Sequence, residues 1–170
     1  MIIVFTGNGK GKTTAALGQA MRAVGDGKRA VMYQFIKGLW VSGEDKIAPA
    51  FGDWFKIIKG GKGPVGGSDD KLPIEEHREA AEETWKGVMD SARSMRYSLI
   101  IGDDFNSALK LGLLSKERIL KDLSEVKELQ KSKKFNLILT GRDADKTIMD
   151  MADLVTEMRD LKKPEKEEGL

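Results

Sequence analysis

The chain has 170 residues, the size of one compact domain, with 29 basic against 27 acidic residues, a net charge of +2 and a single histidine. That balance leaves no electrostatic footprint for nucleic acid or an anionic membrane, and the absence of cysteine excludes disulfides, thiolate metal sites and thiol catalysis. With 40% apolar and 33% charged residues, the composition is that of a globule with a sizeable core.

Taken in chain order, the apolar pattern alternates between short β-like runs and longer helical ones. Ile2–Thr6 reads as a buried strand ended by Gly7. Ala16, Leu17, Ala20, Met21 and Val24 share one face of a helix over Thr13–Val24, which Gly25-Asp26-Gly27 stops. Ala30–Phe35 and Phe55–Ile58 are the next strands. Lys59–Asp70 carries Gly60, Gly61, Gly63, Gly66 and Gly67 around Pro64, a composition that predicts a mobile loop. Pro73 opens a long amphipathic helix to about Ser94, with Ala80, Ala81, Trp85, Val88 and Met89 facing inward. Strand Ser98–Ile101 ends at Gly102-Asp103-Asp104. A helix over Ser115–Gln130 then leads to strand Asn136–Thr140, a short helix near Asp145–Met151 and a last strand, Leu154–Met158. Strands separated by helices imply one α/β domain, residues 1–161, with a parallel sheet covered by helices on both faces. Residues 162–170 are charged, contain Pro164 and have little to bury, which predicts a loose tail. No basic stretch precedes the first apolar run, and no apolar run approaches the ~20 residues needed to span a bilayer. The chain therefore reads as a cytosolic protein with no membrane anchor.

The strongest chemical signal lies between the first strand and the first helix, in Thr6-Gly7-Asn8-Gly9-Lys10-Gly11-Lys12-Thr13-Thr14. Glycines let the backbone approach a phosphate, and the amides of such a turn, with those opening the helix, favour an anion. Lys12 supplies a point charge for a phosphate and the Thr13 hydroxyl a ligand for magnesium. The strict pattern asks for glycine at position 6, where this chain has threonine, but strand, glycine turn, Gly-Lys-Thr and helix follow in order. Residues Gly7 to Thr14, with Asn8, Gly9, Lys10, Gly11, Lys12 and Thr13 between them, are thus the expected nucleotide-binding loop. An acid at the end of a neighbouring buried strand usually completes the metal site. Asp103 and Asp104 stand in that place, and a shared cation would relieve their mutual repulsion. Open parallel sheets bind ligands beyond the carboxyl ends of their strands, so Gln34, Lys37 and Arg142 are further candidates for nucleotide contact. His77, without another histidine or any cysteine, reads as part of a solvated helix face. The aromatic residues are spaced as core or loop anchors rather than as a stacking platform for single-stranded nucleic acid.

Gly7-Asn8-Gly9-Lys10-Gly11-Lys12-Thr13-Thr14 resembles the loop of the ATP:corrinoid adenosyltransferases of the CobA/BtuR type. Gln34-Phe35-Ile36-Lys37-Gly38, Trp40, Gly43-Glu44, Thr140-Gly141-Arg142 and Ala152–Arg159 are similar to that family in the same order. The resemblance implies a P-loop, RecA-like sheet of about six strands ordered 3-2-4-1-5-6. It implies a transferase with ATP and Mg2+ as cofactors, cob(I)alamin or a related corrinoid as acceptor, and triphosphate as leaving group. Lys12 and Arg142 would stabilise that leaving group, and Thr13, Asp103 and Asp104 would hold the metal. A reductase partner and a homodimer are arrangements open to such a protein; nucleic acid and membrane are not among its expected partners. The chain departs from the family at Gly61-Lys62-Gly63-Pro64, where an aromatic segment is usual, at Asp103-Asp104, where Asp-Glu is more common, and in a shorter C-terminal segment. Two other readings remain open at this stage: a phosphate-loop binding module serving another acceptor, and a RecA-like ATPase.

Overall fold

The structure is a computed structural model that describes residues 1–38, 40–67 and 69–162. Six strands, β1 (Ile2–Thr6), β2 (Ala30–Gln34), β3 (Phe55–Lys59), β4 (Leu99–Asp103), β5 (Asn136–Thr140) and β6 (Leu154–Glu157), form one sheet in the order β3-β2-β4-β5-β1-β6. Every pairing is parallel. Residues of β1, β2, β4 and β5 are almost all buried, as a sheet covered on both faces demands. Alternation then sorts them. Ile2, Val4, Val31, Tyr33, Ile100, Leu137 and Leu139 enter one core, whereas Ile3, Phe5, Ala30, Met32, Leu99, Ile101 and Ile138 enter the other.

The helices divide accordingly. Ala16 and Ala20 of α1 (Lys12–Gly25) pack on the second core, near α2 (Gly43–Ile47) and the 3₁₀ turns Ala48–Trp54. The first core takes α3 (Ile74–Ser94), α4 (Phe105–Lys110), α5 (Lys116–Ser132) and α6 (Lys146–Met151). Phe35, Trp85 and Phe105 meet there, with Phe35 edge-on to Phe105 at 5.7 Å between ring centres. Among the described residues, no helix is long and apolar enough to cross a membrane. The sequence missed α2, the 3₁₀ turns and α4, all too short to show a helical period. The expected loose tail lies, from residue 163 onward, outside the described residues.

The strand order corrects one expectation. The fold class and three of the five expected neighbour relations hold, but β5, not β1, lies next to β4, and β1, not β5, lies next to β6. The expected order sets β1 beside β4 so that Lys12, Asp104 and Arg142 can converge and the acid of a neighbouring strand can complete a metal site. The β1–α1–β2 connection allows that approach by passing over β5 and β4, so that α1 packs against β2, β4 and β5 together. A side chain on its first turn thereby reaches the end of β4 across an intervening strand.

Two further corrections concern the segment after β3. Residues 60–67, 69 and 70 carry no regular element, as their composition dictates, but they are tied down rather than free. The amides of Gly60 and Gly61 both donate to the Gln34 carbonyl at 3.0 Å, and that of Gly63 to the Ile36 carbonyl at 3.0 Å. A methyl group at Gly61 would stand 2.5 Å from the Phe35 carbonyl oxygen, so only glycine lets this chain lie against the exit of β2. His77, read as solvated, is only 3% exposed and its Nε2 lies 3.0 Å from Asp70 Oδ1. Its place is four residues before Ala81 on the buried stripe of α3.

Asp70 also accepts the amides of Gly66 and Leu72. The Gly66 amide, then His77 and then Leu72 hold its carboxyl down to about 2. A carboxyl depressed in the folded state contributes stability above its unfolded value of 3.8 and loses it as pH falls toward about 2. Thermal melts between those limits are therefore expected to fall more steeply for the parent than for Asp70→Asn, which is already weakened at neutral pH. Superimposable melting profiles for the two would contradict this anchoring role.

Candidate functional site

The loop from Gly7 to Gly11 leaves β1 where the sheet changes sides. The β1 connection runs to one face through α1, while that of its neighbour β5 runs to the other through α6. Such a switch point opens a crevice at the carboxyl ends of the strands. Here it is a cleft of about 780 Å³ lined by Asn8, Gly9, Lys10, Gly11, Lys12, Thr13 and Thr14, with Ile36, Asp104, Ser107, Leu111 and Arg142 opposite. A cavity of about 800 Å³ at the amino ends of the strands, lined among others by Met1, Arg22, Lys28 and Lys134, has no comparable glycine loop.

Helix α1 starts without a side-chain cap and with no acidic residue in its first turn, leaving its amides to favour an anion in the cleft. Gly11, at φ 109°, provides the turn into it. The Lys12 ammonium donates to the Gly7 and Gly9 carbonyls at 2.6 Å each. Burial lowers its pKa, and Arg142 pushes the same way against the pull of Asp104 and Asp160. A polyanion would reverse that balance.

Gly7 and Gly9 have a role that the sequence did not reveal. The segment after β6 lies directly on the loop: the Met158 carbonyl accepts from the Gly9 amide at 2.8 Å, and the Asp160 carboxylate from the Lys10 amide at 3.0 Å. A methyl at Gly7 would stand 2.3 Å from the Met158 carbonyl oxygen, and one at Gly9 2.8 Å from the Arg159 nitrogen. These glycines admit backbone to backbone, whereas a methyl at Gly11 would have only Met158 Sδ within reach, at 3.6 Å. Gly7→Ala, which also strains a φ of +93°, is expected to cost roughly 2–4 kcal/mol of stability in urea unfolding. Unchanged unfolding midpoints would remove Met158 from the architecture of the loop.

Asp103 is fully buried, and its carboxylate is saturated. Oδ1 accepts from Thr13 Oγ1 at 2.8 Å and Thr140 Oγ1 at 2.7 Å. Oδ2 accepts from Gln34 Nε2 at 3.3 Å, with Lys37 Nζ at 3.6 Å. Gln34 and Lys37, expected at the nucleotide, are engaged by Asp103 and are not among the residues that line the cleft. Lys37 also pairs with Glu44 at 2.5 Å. Burial works against its charge, but Glu44 and Asp103 outweigh it and raise the pKa. Asp104 turns the other way, into the cleft, from a left-handed backbone of φ 59°. Burial, and after it the adjacent Asp103, push its carboxyl up to about 6, against Lys37, Lys12 and Arg142. Among the described residues no group of three acidic or histidine side chains encloses a metal. A cation here would take most of its ligands from phosphate oxygens and water, which is the habit of magnesium, and Asp104 is the carboxyl that it would relieve. Arg142 is exposed on the cleft rim. Ser107 and Leu111 were missed, since they enter from the short α4 and its end with no motif of their own; Ile36 and Thr140 lie within stretches that resemble the family but were assigned no role.

A glycine-rich loop at the switch point of a parallel sheet, with a Lys, a Thr-bound buried acid and a second acid in the cleft, gives this chain a P-loop-like fold. The sequence profile of the ATP:corrinoid adenosyltransferases BtuR/CobO/CobP matches residues 1–170, and the chain belongs to that family. It is 35% identical over 162 residues to the corrinoid adenosyltransferase of Escherichia coli K12, covering 95% of this chain and 78% of that protein. To the corrinoid adenosyltransferase CobA of Salmonella typhimurium LT2 it is 33% identical, with the same coverage of 95% and 78%. In fold it is similar to the flagellar accessory protein FlaH of Methanocaldococcus jannaschii, with a TM-score of 0.58 at 12% identity over 92% of this chain and 69% of that one.

Proposed function

We propose that this protein moves the adenosyl group of ATP to the cobalt of a reduced corrinoid. The cobalt electron pair of cob(I)alamin forms a bond to the ribose 5′-carbon, the bond from that carbon to the triphosphate oxygen breaks, and triphosphate departs with the bonding electrons. Negative charge grows on the leaving group, so the protein's task is to stabilise an anion rather than to supply a nucleophile. The observation that carries this reading is the convergence of Lys12, the uncapped start of α1 and Arg142 on one cleft, in a chain matched end to end by the family profile.

Gly7 to Thr14 would cradle the triphosphate, with Asn8 and Lys10 lining the nucleotide. Magnesium, when bound, would neutralise charge on the phosphates; Thr13 and Asp104 would hold it, with Asp103 fixing the Thr13 hydroxyl. Cobalt must arrive already reduced, which brings in a reductase partner and a reducing, cytoplasmic compartment. A homodimer enters the reading through the family alone. One observation favours a second reading, a family phosphate site serving another acceptor: the segment that would carry aromatic contacts is glycine-rich and pinned to Gln34 and Ile36.

Anaerobic incubation with magnesium-ATP and cob(I)alamin is expected to yield adenosylcobalamin and triphosphate in equal amounts, followed by the corrinoid spectrum and by phosphorus NMR. ADP with orthophosphate and an unchanged corrinoid would overturn the proposal in favour of an ATPase, and ATP binding without turnover would favour the second reading. Lys12→Ala is expected to weaken ATP binding about tenfold or more, the loss of one charge-assisted contact. Normal affinity in that variant would sink the loop assignment itself.

A further inference from the structure

Thr140 ends β5, the strand that separates the phosphate-loop strand from the strand bearing the acids. It is fully buried, and its hydroxyl is used in both directions. It donates its hydrogen to Asp103 Oδ1 at 2.7 Å and accepts the Asp104 amide at 3.0 Å. One oxygen therefore touches both members of the acidic pair. Asp103 Oδ1 is the same atom that receives the Thr13 hydroxyl, so the chain of contacts runs from α1 through Asp103 and Thr140 to the backbone of Asp104.

Two features of the pair need an explanation. Neighbouring carboxyls point in opposite senses, Asp103 into the sheet and Asp104 into the cleft. Asp104 also holds a left-handed backbone at φ 59°, a conformation that costs a non-glycine residue about 1 kcal/mol or more and persists only where the surroundings dictate it. The hydrogen bond from its amide to Thr140 holds one side of it, and the Ala108 amide on its carbonyl, where α4 begins, holds the other. The hydrogen bond from Thr140 to Asp103 fixes the partner carboxylate, and with it the Thr13 hydroxyl. A valine at position 140 would fill the same space and do neither.

We infer that Thr140 is a positioning residue for the metal-nucleotide site: its hydroxyl decides which of the two adjacent carboxyls faces the cleft and holds Thr13 in register across the inserted strand. The inference rests on the magnesium-ATP reading given above, but not on the identity of the acceptor.

The test is ATP binding by calorimetry over a series of Mg2+ concentrations, with no corrinoid present. If the parent protein binds ATP with no dependence on Mg2+, the magnesium reading itself fails. If it shows that dependence, Thr140→Val is expected to raise the Mg2+ concentration for half-maximal binding by about tenfold or more, the usual effect of losing a hydrogen bond behind a metal ligand. Metal-free ATP binding should change little, and Thr140→Ser, which keeps the hydroxyl, should restore most of the Mg2+ response. An unchanged Mg2+ dependence in Thr140→Val would overturn the inference, as would equal losses with and without metal, the mark of a merely structural role. Should the valine variant fail to fold, Thr140→Cys, of similar size but a weak donor, is read by the same criteria.

Discussion

Asp103 is a carboxylate with no exposure to water, and burying such a group is tolerable only when its oxygens find donors. The donors come from all around the carboxyl edge of the sheet: Thr13 from α1, Thr140 from β5, and Gln34 and Lys37 from the end of β2 and just beyond it. Satisfying one buried side chain thus fixes the ends of three strands and the first turn of a helix relative to one another. Lys37 in turn holds Glu44, so the first turn of α2 is tied to the same centre. Asp104, relieved of this duty, is left to face the cleft.

A second constraint comes from the close passage of main chain against main chain. The strap after β6 seats on the phosphate loop at Gly7 and Gly9, and the residues after β3 seat on the exit of β2 at Gly61. In both places a single methyl group would collide with backbone, which cannot move aside as a side chain can. The Gly7–Gly11 loop is therefore shaped from behind by β6 and its continuation, including the Asp160 carboxylate on the Lys10 amide.

This arrangement bears on how the protein relates to its family. The half of the site proposed for the nucleotide has its glycine loop, Lys12, Thr13, Asp104 and Arg142 on one cleft, with Asp103 buried behind the Thr13 hydroxyl. The stretch at Gly61–Pro64 has no aromatic residue and lies where its backbone is too close to Phe35 for any side chain at Gly61. Contacts to a corrinoid would have to come from elsewhere on the cleft, whose apolar lining includes Ile36 and Leu111.

Much of the molecule was legible without coordinates. Glycine turns and buried apolar runs are local signals, so the six strands, the helices α1, α3 and α5 and the phosphate loop could be placed within a few residues. The parallel class followed from their alternation, and Lys12, Thr13, Asp104 and Arg142 converge on the cleft as their strand ends suggested. Other properties rest on contacts between residues far apart in the chain, which no local pattern encodes. These include the insertion of β5 between β4 and β1, the engagement of Gln34 and Lys37 by Asp103, the burial of His77 on Asp70 and the part played by Thr140. That a glycine-rich loop joins a strand to a helix in a parallel α/β domain is written in consecutive residues. Which acid faces the cleft and what the glycines admit depend instead on which strand ends the crossovers bring side by side, a matter of contacts far apart in the chain.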